Sequence, residues 1–117
     1  LRSGALASSI AHDAHNIVAV GVDDVDILAA IAAVAEHQGG LAVVDHGQVV
    51  ADLPLPIAGI LSDRPLADVA AAFEAVETAA RALGSDLGSP FGILAFLALS
   101  VVPEALETDR GFLRLDP

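Results

Sequence analysis

The chain has 117 residues, 55% of them hydrophobic, with no cysteine, no lysine, five arginines and a formal net charge of −11 at pH 7. That length suits one domain, the missing thiols exclude disulfides, thiolate metal sites and thiol nucleophiles, and the anionic balance argues against a nucleic acid polymer, whose phosphates require clustered cations. No apolar run approaches the roughly 18 residues that span a bilayer, so no membrane partner is expected and the apolar surplus is expected to cover a protein surface.

Leu1 to Ala7 lacks a charged n-region and a sustained apolar h-region, so no targeting signal is expected and the chain reads as a piece excised from a longer protein, with a cytoplasmic home. Leu6 to Ala11 and Ile17 to Val20 are β-branched or apolar runs that predict two short strands, joined by His12-Asp13-Ala14-His15-Asn16. Asp23 and Asp24 can cap a helix with Ile27, Leu28, Ile31, Val34 and Ala35 at helical spacing, and Gly39-Gly40 can end it. Leu41 to Val44 and Gln48 to Ala51 flank Asp45-His46-Gly47, whose glycine suits a hairpin turn. The prolines in Leu53-Pro54-Leu55-Pro56-Ile57-Ala58-Gly59 lack backbone donors, which excludes an interior strand or helix and predicts an extended, ordered loop.

Ser62 or Asp63 is the expected cap of a second helix with the stripe Leu66, Val69, Phe73, Val76, Ala80 and Leu83, stopping at Gly84. Ser89-Pro90 reads as a cap followed by proline at the first helical position, opening a helix that runs to about Leu99. Pro103 ends that element, and Thr108-Asp109-Arg110-Gly111 is a turn that sets up a last strand at Phe112 to Leu115. Connections this short favour antiparallel pairing, so the expected fold is α+β, a single domain with a mostly antiparallel β-sheet and two to three packed α-helices.

The polar residues concentrate in Ser8-Ser9-Ile10-Ala11-His12-Asp13-Ala14-His15-Asn16. His12 and His15 can converge on one ion, with Asp13 as a ligand or an orienting group, but that set is short of the three or four ligands a zinc or manganese centre needs. No spacing links it to His37, Asp45 or His46, so no metal is expected on this chain. Ser8, Ser9, His12 and Asp13 include the residue types of a triad, yet strand neighbours alternate faces and there is no nucleophile elbow. Asn16 has a carboxamide suited to an adenine edge, and imidazoles bond or stack with heterocycles. Against all three stands a purely structural reading, in which Asp13 and Asn16 cap the strand connection and the histidines satisfy buried carbonyls. On the residues alone that reading carries more weight than any single site, and the acids Asp23, Asp24, Asp26, Glu36, Asp68, Glu74 and Glu77 read as a solvated face.

The run from Ser9 to Gly21, Ser-Ile-Ala-His-Asp-Ala-His-Asn-Ile-Val-Ala-Val-Gly, resembles the C-terminal domain of bacterial adenine deaminases of the amidohydrolase superfamily. Gly39-Gly40 before a valine-rich strand, the Leu53 to Gly59 run followed by Ser62-Asp63, Pro90-Phe91, Phe96-Leu97-Ala98-Leu99 and Thr108-Asp109-Arg110-Gly111 follow in the order that family shows. The resemblance covers nearly the whole chain. Ala14 replaces a serine common between the two histidines, and Leu61 and Gly92 stand where methionine is frequent.

The resemblance implies a parent enzyme that converts adenine and water to hypoxanthine and ammonia, in purine salvage. Its catalytic residues and its two divalent metal ions, manganese or iron, would lie in an N-terminal (β/α)8 barrel, so this chain alone is not expected to be active. The expected partners are that barrel, adenine as the parent's substrate, and further copies in a homo-oligomer. His12, Asp13, His15 and Asn16 are the candidates for the pocket or its interface. The alternative is a structural or oligomerisation module with no role at the active site.

Overall fold

A computed structural model describes residues 1–11, 16–99, 105–108 and 110–114. Four strands form one antiparallel sheet: β1 (Ala5–Ser8), β2 (Val18–Gly21), β3 (Gly40–Asp45) and β4 (Gln48–Pro54), in the order β2-β1-β3-β4. Between β2 and β3 runs α1 (Asp24–Glu36), and after β4 come α2 (Leu66–Ala82) and α3 (Pro90–Leu97). A separate two-stranded sheet pairs β5 (Ala105–Thr108) with β6 (Gly111–Arg114). The expected α+β fold is what forms, its antiparallel sheet packed with three helices among the described residues where two to three were expected, and β5 is a strand that the sequence did not announce. No helix among the described residues is long and apolar enough to cross a membrane.

Period-2 alternation gives the sheet two different faces. Ala5, Ala7, Ala42 and Val44 face α1 and pack on Ala30, Ala33 and Val34. Leu6, Leu41, Val43 and Leu53 face the other way, onto Val76, Ala80, Leu83 and Phe91 of the α2 and α3 layer. Large side chains contribute about 1.5–3 kcal/mol each when fully buried, alanine far less. The α2 and α3 side therefore carries most of the hydrophobic stabilisation.

Small residues on the sheet also decide which face of α1 is inside. The buried positions are Asp26, Ala30, Ala33 and Val34, whereas Leu28, a member of the expected stripe, is 65% exposed. Asp23 caps the helix as expected, its side chain accepting the N–H of Asp26 at 2.9 Å. The β3–β4 turn is the expected hairpin, with His46 at φ 51 and Gly47 at φ 75, the doubly left-handed geometry that matches strand twist.

β4 runs further into the proline-rich segment than the sequence suggests, ending at Pro54 opposite Gly40. Leu55 N–H donates to the Gly39 carbonyl at 3.0 Å, so by alternation the Pro54 nitrogen faces away from β3, where an edge strand needs no donor. The second helix corrects the expected cap. Its N-cap is Pro65, with no side-chain bond, while Ser62 Oγ accepts the Arg64 N–H at 3.1 Å inside the loop. Pro65 disfavours helical geometry at Arg64, which prevents Ser62 or Asp63 from leading directly into the helix.

Candidate functional site at the end of strand β1

The polar run begins where β1 stops. Ser8 is fully buried, and its Oγ accepts the Ile10 N–H at 3.0 Å, while Ala11 N–H donates to the Ser9 carbonyl at 3.1 Å. These local bonds compete with the ladder, so the strand ends at Ser8 and not at Ala11.

Ser9 joins three stretches of chain. Its N–H donates to the Gly40 carbonyl at 2.9 Å, and its Oγ accepts the Gly40 N–H at 2.7 Å and donates to the Gly59 carbonyl at 2.5 Å. Gly39 and Gly59 approach so closely that a Cβ on Gly39 would collide with the Gly59 backbone. The end of β1, the entry to β3 and the proline-rich loop are thus locked around one hydroxyl.

Below Ser8, on the α2 and α3 side, lies a cavity of about 160 Å³ lined by Ser8, Ile10, Leu41, Phe73, Phe91 and Gly92, with Ser89 and Ala95 completing it. Among the described residues the serine hydroxyls are its only polar side chains, and the described walls suit an apolar or flat group.

Asn16 is an exposed bend residue two positions before Val18, which pairs with Ser8, so Asn16 sits at the same end of the sheet as Ser9. His12, Asp13 and His15 lie outside the described residues. The other histidines serve elsewhere: His37 Nε2 is 2.8 Å from Asp52 Oδ2, joining the end of α1 to β4, and His46 Nδ1 lies 3.0 Å from Asp45 Oδ1 without hydrogen-bond alignment. Among the described residues no three His, Asp or Glu side chains gather where they could hold a metal ion. Both serine hydroxyls are engaged with backbone groups, which disfavours either as a nucleophile. The sequence reading missed Gly59, Phe73 and Ser89 as neighbours of this strand end, because each arrives from a segment distant in the chain and no motif marks the encounter.

Residues 1–116 match the family model described as adenine deaminase C-terminal domain. Among curated relatives, the adenine deaminase of Desulfatibacillum aliphaticivorans is 50% identical over 111 residues, covering 95% of this chain and 20% of its own. That of Dehalococcoides mccartyi is 47% identical over 111 residues, covering 95% and 19%. That of Brucella anthropi is 47% identical over 116 residues, covering 99% and 21%. The chain therefore spans about one fifth of the length of these relatives.

Proposed function

Because the chain belongs to the family of adenine deaminase C-terminal domains, we propose that it is the accessory part of an enzyme that hydrolyses adenine to hypoxanthine and ammonia, and that it helps to complete or cover that enzyme's active site. The observation that carries this reading is the match over residues 1–116. The locked end of β1 agrees with it. Ser9, three positions before His12 in the chain, is held to Gly40 and Gly59.

In this reading His12, Asp13, His15 and Asn16 contact the purine or the mouth of its pocket. A carboxamide and an imidazole recognise a heterocycle's edge through paired donors and acceptors. The family implies a two-metal centre in the barrel. The described side chains of this chain do not fit such a group.

The test is full-length deaminase, supplied with manganese, in which His12, Asp13, His15 and Asn16 are all replaced by Ala. The expected outcome is a fall of at least 100-fold in kcat/KM, with melting temperature and assembly unchanged. Full activity in a folded quadruple variant refutes the role. It would favour the second reading, a structural or oligomerisation module, which draws on the exposed apolar side chains Ile93, Phe96 and Leu97 of α3.

A further inference from the structure

The two edges of the main sheet are built differently. At β4 the register slips by one residue between Val43 and Val44, leaving Val50 as a bulge, and the same strand carries Asp52 and ends at Pro54. A bulge, a charge and a proline are devices that stop an edge from pairing with another strand. At β2 none of them occurs. Its pairing with β1 is continuous from Ser8↔Val18 to Ala5↔Gly21, and Asn16-Ile17-Val18-Ala19-Val20-Gly21-Val22 contains no charge and no proline in a chain of net charge −11. Val20 and Val22, on the side facing α2 and α3, are 44% and 55% exposed.

The open backbone groups are identified by the ladder. Val22 N–H donates to the Gly4 carbonyl at 3.0 Å, so even-numbered residues of β2 point toward β1. By alternation the N–H and C=O groups of Ala19 and Gly21 point outward. An uninterrupted apolar edge with aligned donors and acceptors is a template for one more strand.

We propose that an extended segment from the other four-fifths of the parent chain pairs with the β2 edge, bonding Ala19 and Gly21 and covering Val20 and Val22 with apolar side chains. The inference rests on the reading above that this chain works as part of a longer deaminase. Two observations favour such a segment over a second copy. Relatives carry about 80% of their length outside the matched region, and a covalently joined strand reaches the edge at millimolar effective concentration. A second copy would bring another charge of −11 to the contact, which opposes association.

The test is amide hydrogen exchange on the full-length deaminase at two protein concentrations, with peptides that resolve Ala19 and Gly21. Exchange at both amides slowed at least 100-fold below the unprotected rate, equally at both concentrations, is the expected result. A companion variant, Val20→Cys carrying a short photoactivated cross-linker, identifies the neighbour by sequencing of the joined peptide. A peptide from outside these 117 residues supports the pairing. Unprotected amides overturn it, and so does a cross-link to residues 17–22 of another copy. Adenine turnover of the unmodified sample keeps the two readings apart, because full turnover with unprotected amides refutes the strand and leaves the deaminase reading standing.

Discussion

Replacing Ser9 with Ala removes one oxygen and strands two backbone groups. The Gly40 N–H loses its acceptor at 2.7 Å and the Gly59 carbonyl loses its donor, and both glycines are buried. An unsatisfied buried donor costs about 1–3 kcal/mol and a lost ordinary hydrogen bond about 1 kcal/mol, so the variant should be less stable by about 2–4 kcal/mol. That is a large share of the roughly 5–15 kcal/mol that holds a domain together. In urea unfolding, with a slope near ~1.5 kcal/mol/M, the midpoint should fall by about 1.3–2.7 M with the slope unchanged. Exchange of the Gly40 amide should accelerate by a larger factor than that of Ala42 in the sheet centre. A midpoint shift under about 0.3 M, equivalent to less than ~0.5 kcal/mol, would refute the reasoning and mean that water replaces the hydroxyl without cost.

Other substitutions probe other parts of the fold. A Cβ on Gly40, which has φ 132, would strike the Leu53 carbonyl. Gly40→Ala should therefore cost at least about 3 kcal/mol by thermal or urea unfolding, or abolish folding. Gly92 lines the cavity, and a Cβ there meets only Ser89, whose side chain makes no capping bond. Gly92→Met should fill the cavity and raise the melting temperature by roughly 5–10 °C, corresponding to about 1–2 kcal/mol. Buried Asp26 accepts the Gly47 N–H at 2.7 Å, so Asp26→Ala should lose about 1.5–3 kcal/mol in calorimetry, the range for a hydrogen bond to a charged group.

Local chemistry was the most legible part of this sequence. His46-Gly47 announces a two-residue hairpin because left-handed geometry is needed there, and Asp23 announces the start of α1 because a carboxylate answers its free N–H groups. What periodicity could not reveal was which apolar residues face inward. Leu28 and Leu66 fit their stripes yet are 65% and 84% exposed. The inner face of α1 is selected by the alanines of β1 and β3, which admit Ala30 and Ala33 closely, and those alanines belong to strands elsewhere in the chain. The candidate site divides the same way. The run itself stands out as a concentration of polar side chains, whereas its support by Gly40 and Gly59 depends on tertiary encounters across 31 and 50 positions.

Those separations also govern time. The β3–β4 hairpin closes through two residues and belongs to events of about 1–10 μs, whereas the Ser9 junction has to close loops of 31 and 50 positions, at a greater entropic cost. A junction completed after the rate-limiting step leaves the folding rate nearly untouched when it is weakened, and its whole loss falls on the unfolding rate. If the bonds of Ser9 to Gly40 and Gly59 close on that late side of the barrier, its hydroxyl is a clasp on the finished domain, and weakening it shortens the time each molecule stays folded.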